Sequence, residues 1–173
     1  MRMKKNFLRL MVLGLTVFAA AVMPVSAQTE PDPATLEAKE ETAVVYDLGR
    51  FFGYVHDMTT EISKLALTAS QKSEIKKIMG QIKEMDRVEP DWAEETLDYL
   101  ELELLTAAQL MEVDRRAIEW QNSREPSIPG SGAGGGSGTG PISSYIAGGP
   151  FNPLIDDSKN IGQGFADFYD YLK

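Results

Sequence analysis

The chain has 173 residues, no cysteine, one histidine and a formal net charge of −9. That length allows one domain of ordinary size, and 25% charged with 43% hydrophobic residues excludes a wholly disordered chain. Without cysteine there is no disulfide, no thiol nucleophile, no cysteine-held metal and no lipid-anchoring cysteine after an export signal.

Residues 1–27 read as a secretory signal peptide. Arg2, Lys4, Lys5 and Arg9 form a basic start, and Leu10 to Val22 form an apolar run too short for a comfortable membrane span. Val25, Ser26 and Ala27 put small residues where a signal peptidase needs them, which predicts cleavage before Gln28. The exported chain, 28–173, then carries 13 basic against 26 acidic residues, or −13. Such a chain is expected in the periplasm or outside the cell, with no stable membrane anchor left after cleavage. Its charge argues against nucleic-acid binding through a general basic surface and against anionic lipid surfaces.

Gln28 to about Pro33 is a polar lead-in, and the helical pattern runs from about Ala34 to Gln121. In the first helix Val44, Leu48, Phe51, Val55, Met58, Ile62 and Leu65 step alternately by four and three, a stripe that lies along a helical partner in the same chain or in a second copy. Gly49 and Gly53 lie on that helix, where a glycine costs up to about 1 kcal/mol relative to alanine. They mark either a close helix approach or a tolerated weak spot.

The second helix starts after Thr68, whose side chain forms a capping box with Gln71, and it is expected to bury Ile75, Ile78, Ile82 and Met85. Lys76, Lys77 and Lys83 keep another face wet, and pairing of this lysine cluster with the acidic third helix would favour an antiparallel hairpin. Glu89-Pro90-Asp91 breaks the chain, and Asp91 with Glu94 is read as a box opening the third helix, with Leu97, Leu100 and Leu104 inside. Thr106 and Gln109 repeat the box, Leu105 and Leu110 supply a hydrophobic staple, and the fourth helix carries Met111, Val113, Ala117, Ile118 and Trp120.

From Pro126 to Pro150, glycine, serine and proline supply 18 of 25 residues. The run GSGAGGGSGTG reads as a flexible tether spanning about 25–30 Å. In 151–173, Ile161, Phe165, Phe168 and Leu172 form a short amphipathic helix, with Asp157 or Ser158 as its cap. Too short to stand alone, it must dock on its own bundle, a second copy or another protein. Phe165, Phe168, Tyr169 and Leu172 are therefore a candidate protein-binding set.

The expected fold is all-α: a small helical bundle or layered hairpins (28–125), a Gly-rich tether (126–150) and a C-terminal amphipathic helix (151–173). Catalysis has little to work with. His56 sits one position beyond Val55, beside a stripe already accounted for, and reads as solvated or half-buried. The glycine run does not join a strand to a helix, so it is no phosphate cradle. Glu94, Asp98 and Glu101 share a helix face that could collect a hard cation weakly, but no calcium-loop spacing is present, and an acidic solvated face is the plainer reading. No enzyme activity, cofactor or resident metal is expected.

Leu67-Thr68-Ala69-Ser70-Gln71 and Leu105-Thr106-Ala107-Ala108-Gln109 both spell LTxxQ. Two such motifs on a helical chain behind a signal peptide resemble the LTxxQ (Spy/CpxP-like) family of bacterial periplasmic proteins. The resemblance runs from about Leu65 to Trp120. It implies an all-helical, often dimeric protein linked to envelope stress, acting as an ATP-independent chaperone or a sensor that modulates a signalling system. It assigns Leu67, Thr68, Gln71, Leu105, Thr106 and Gln109 to the motif, as helix caps. Three readings follow: a chaperone or stress adaptor that binds unfolded clients, with Met58, Met79, Met85 and Met111 as adaptable apolar side chains; an interaction scaffold whose C-terminal helix is a tethered plug or ligand; and a metal-responsive envelope sensor.

Overall fold

The computed structural model describes residues 32–123 and 140–173, within one compact unit, Pro31–Lys173. The expected signal segment, its cleavage site and most of the expected tether lie outside the described residues. The described part is all-α. Helices α1 (Pro33–Glu41), α2 (Ala43–Glu61), α3 (Ala69–Glu84), α4 (Pro90–Tyr99), α5 (Ala107–Ser123), α6 (Pro141–Ile146) and α7 (Asn160–Tyr171) follow in chain order.

Helix α2 is the axis. It packs against α4 and α5 on one side and α7 on another. That many partners demand a wide buried face. Leu48, Phe51, Val55 and Met58 are buried as the stripe predicts, and Val45, Phe52 and Thr59 form a second buried row beside them. The stripe is cut short at its end. Helix α2 stops at Glu61, Ile62 leaves helical geometry, and Ser63–Leu65 make a single tight turn. The buried Thr59 hydroxyl accepts the Leu67 N–H at 2.8 Å, which fixes the chain's exit toward α3.

Helix α3 buries Ile75, Ile78, Met79 and Ile82 and leaves Met85 at the edge. Helix α4 begins differently from expectation. Its N-cap is Glu89 with Pro90 at the first helical position, and no side chain caps it. Proline at the first helical position supplies the fixed φ and starts the helix one residue earlier, so Asp91 lies inside the first turn and cannot be the cap of an Asp91–Glu94 box. Helix α4 runs on into a wider, π-helical turn, Leu100–Leu104, with Leu100 buried and Leu97 and Leu104 partly so. On α5, Val113 is buried, but Met111 and Ile118 are 73% and 56% exposed. The apolar pattern of α5 places both inside. The face of α5 turned to α2 is the one carrying Val113 and Ala117, and residues 111 and 118 stand off it.

The C-terminal part is a second correction. Residues 140–150, expected in the tether, fold into α6 and its following turn. Helix α6 packs on α1, and Tyr145 sets its ring edge-on to Phe151. Arg87 donates to the carbonyls of Tyr145 and Gly149 at 3.1 and 3.0 Å, and its guanidinium lies 4.1 Å from the Tyr145 ring centre. Phe151 and the 86–88 stretch exchange backbone bonds of 2.8 and 2.9 Å in an isolated bridge. The Asn152 amide closes the end of α3 by donating to the carbonyls of Ile82 and Met85. The N-cap of α7 is Lys159, not Asp157 or Ser158; the nearby carboxylate of Asp156 accepts instead from Ser158 in the preceding turn.

Gly49 resolves in favour of close approach. A Cβ there would overlap the Leu154 side chain and come within 2.5 Å of Ile161, so α7's entry seats directly on α2. A Cβ at Gly53 would meet nothing within 4 Å.

Candidate functional site

The two LTxxQ motifs form one constellation. In each, the threonine hydroxyl accepts the glutamine backbone N–H, at 3.2 Å for Thr68–Gln71 and 3.3 Å for Thr106–Gln109. Each glutamine oxygen accepts its own threonine N–H, at 2.9 and 3.0 Å. Both capping boxes therefore stand as the spacing predicts.

What spacing cannot show is that the two boxes meet. The Gln71 amide donates to the Gln109 oxygen at 2.8 Å, and the Gln109 amide returns a bond to the Gln71 oxygen at 3.3 Å. Each amide also donates to the chain just ahead of the opposite box: Gln71 to the Leu104 carbonyl at 2.9 Å, and Gln109 to the Leu65 carbonyl at 3.1 Å. Both glutamines are buried, between buried Leu67 and Leu105. Among the described residues no buried side-chain nitrogen or oxygen lacks a partner. This arrangement does no chemistry; it clamps the starts of α3 and α5 together.

The C-terminal candidates are mostly interior. Phe165, Phe168 and Leu172 are buried, and Tyr169 is partly exposed. Phe52 meets Phe165 edge-on at 5.9 Å, and His56 stacks on Phe168 at 5.3 Å. His56 is thus half-buried against α7. Lys77 and Lys83 of α3 do not pair with the acids of α4. Lys77 pairs with Glu74 on its own helix at 3.3 Å. Lys72 and Lys83 stand 4.4 and 4.3 Å over the rings of Tyr171 and Tyr169, so they fasten α7 instead. The hydrogen bond from Lys72 holds the Tyr171 hydroxyl's pKa below the usual tyrosine range.

Of the four methionines, Met58 and Met79 are buried, Met85 is partly buried, and Met111 faces solvent. On the acidic face Glu94 and Asp98 are exposed and Glu101 is half-buried. Burial raises the Glu101 pKa, and the nearby charges of Asp114 and Asp98 raise it further. Among the described residues no group of carboxylates and histidine is arranged to hold a metal ion.

Two surfaces go beyond what the sequence pattern singles out. One is apolar: Met111 and Ile118, two helical turns apart on one side of α5; Leu102 on the π-helical turn is exposed as well, at 73%. The other is a trough beside α2, made of adjoining cavities of 190 and 340 Å³ that share Arg50, Tyr54 and Trp120. The heptad count could have found neither, since it marks apolar positions without saying which face meets the core. Among the described residues no helix is long and apolar enough to cross a membrane. No protein-family model, curated protein or solved structure matches the chain.

Proposed function

We propose that this chain is an exported, non-enzymatic protein-binding protein, an ATP-independent chaperone or envelope-stress adaptor of the LTxxQ (Spy/CpxP-like) kind. The observation that carries the protein-binding part is the exposure of large apolar side chains, Met111 and Ile118 on one side of α5 and Leu102 on the π-helical turn before it. Large apolar side chains left in solvent suit binding of apolar protein segments. Methionine adds adaptability to varied partners. The acidic balance of the exported chain favours clients with basic stretches. The mutual hydrogen bonds of Gln71 and Gln109 support the resemblance, because they make the two LTxxQ motifs a working pair rather than two unrelated helix caps.

The test is aggregation of a chemically denatured model client with and without purified 28–173. Suppression at near-stoichiometric amounts, reduced by Leu102→Ser with Met111→Ser, is the expected result. No suppression at molar excess would sink the reading.

A further inference from the structure

We propose that the trough along α2 is a docking site for extended polypeptide carrying lysine or arginine beside apolar residues. The inference rests on the protein-binding reading above and names the chemistry of the partner.

The trough follows from helix packing. Tyr46, Arg50, Tyr54 and Asp57 recur at spacings of four and three on the side of α2 turned away from its core stripe. The last turns of α5 form one wall, through Asp114, Ala117 and Trp120. The start of α7 forms the far wall, through Asn160, Ile161 and Gly164. Gly53 and Gly164 both border open space, where a Cβ would meet nothing within 4 Å. A peptide backbone can therefore lie close to both helices. The larger cavity, 340 Å³, sits at the bottom of the range of about 300–1,000 Å³ typical of small-molecule pockets, and a series of side chains fits it better than one large ligand.

Charge decides the sign of the partner. Asp47, Glu101 and Asp114 border one cavity and Asp57 the other. Among the described residues the one cation bordering either cavity is Arg50, which pairs with Asp47 and stands 5.1 Å from the Trp120 ring centre. Four carboxylates against one engaged guanidinium attract cations by charge, and the aromatic wall is one on which a cation, Arg50, already lies over Trp120. The protein already uses that chemistry at Lys72, Lys83 and Arg87, each over a tyrosine ring.

A solvated acidic helix face costs the fold little. Glu101 is different. It is half-buried and crowded by Asp98 and Asp114, so its charge opposes folding. A group that weakens the fold and lines a cavity is expected where binding requires it. Structural and binding roles then predict opposite effects of removing it.

The experiment measures binding of a short fluorescent peptide alternating lysine with leucine, and of its glutamate–leucine counterpart, to 28–173. Variants are Glu101→Gln with Asp114→Asn, and Glu37→Gln with Glu40→Gln on the exposed side of α1 as a charge-matched control. The expected result is binding of the lysine peptide alone. The trough variant weakens it on the order of tenfold while its Tm holds or rises, and the control changes it less than about twofold. Equal weakening by both variants, no weakening by the trough variant, or equal binding of both peptides overturns the proposal. If no peptide binds while the chain still suppresses client aggregation, the trough assignment fails and the chaperone reading stands; if both activities are missing, both fail.

Discussion

Gln71 and Gln109 exchange side-chain hydrogen bonds across the protein interior, each oxygen accepting from its own capping threonine and each amide donating to the other glutamine. One residue type thus does two jobs at each helix start. Its oxygen satisfies an N–H that the first turn leaves without a partner, and its NH₂ group bridges to the opposite box. Shorter asparagine could not do both, and glutamate could not donate.

Loss of either glutamine is expected to cost more than a cap. Gln71→Ala leaves the Gln109 amide and the Leu104 carbonyl each short of a partner in a buried setting, a penalty of about 1–3 kcal/mol. Once one is gone the other has less to lose. Urea unfolding of Gln71→Ala, Gln109→Ala and the double variant should give a coupling of about 0.5–3 kcal/mol. Additive losses would mean two independent caps.

That contrast shows where sequence reading stops. The Thr68–Gln71 and Thr106–Gln109 boxes are local, four residues long, and legible. Their meeting spans 38 residues and depends on how the bundle sets the start of α3 against the start of α5, which periodicity does not encode. Val45 and Phe52 escape an a/d count because it assumes one partner, whereas α2 packs on α4, α5 and α7 among others. Met111 and Ile118 obey the helical period and still face solvent. Helix α6 is hidden by its composition: a glycine–serine–proline stretch reads as tether, but Arg87 reaches two of its segment's carbonyls and Phe151 anchors the next turn. The trough is invisible in the sequence because its carboxylates come from α2, the π-helical turn and α5, each a plain charged position on its own.

The C-terminal segment is expected to be part of the folding unit. Phe151, Leu154 and Phe168 are fully buried, beside Phe52 and other residues of α2. Phe168→Ala should cost about 3–5 kcal/mol, as for other buried aromatic truncations. Residues 28–124 alone should lose the cooperative thermal transition seen by circular dichroism for 28–173. An unchanged Tm for the shorter chain would instead make the segment a removable plug.

Three glycines should respond differently to alanine. Gly53→Ala adds a methyl into open space on a helix and should stabilise by up to about 1 kcal/mol. At Gly49 the methyl meets the ends of Leu154 and Ile161, side chains that can give a little, so a net loss of about 1–3 kcal/mol is expected. At Gly162 it would overlap the Asp156 backbone, which cannot rotate away, and that variant should be the least stable of the three. Thermal melts rank them; Gly49→Ala as stable as Gly53→Ala would contradict the seating of α7 on α2.

Two glutamates should give opposite pH signatures. The carboxylate of Glu112 accepts hydrogen bonds from Arg115 and Arg116, which hold its pKa down to about 2, and Arg116 carries the link on to Glu61 at the end of α2. Its folded pKa lies below the unfolded value of 4.5, so its contribution is complete above pH 4.5 and fades as pH falls toward 2. Glu101 lies on the other side: burial first, then Asp114 and Asp98, raise its folded pKa above 4.5. Relative to the unfolded chain it favours folding when protonated, and that advantage is lost as pH rises through its folded pKa. Glu112→Gln should therefore destabilise at pH 7 and lose its effect in strong acid. Glu101→Gln should stabilise at pH 7 and lose its effect once the solution is more acidic than pH 4.5. Urea midpoints across that range measure both, and effects of the same sign would show that Glu101 is not held against its own charge.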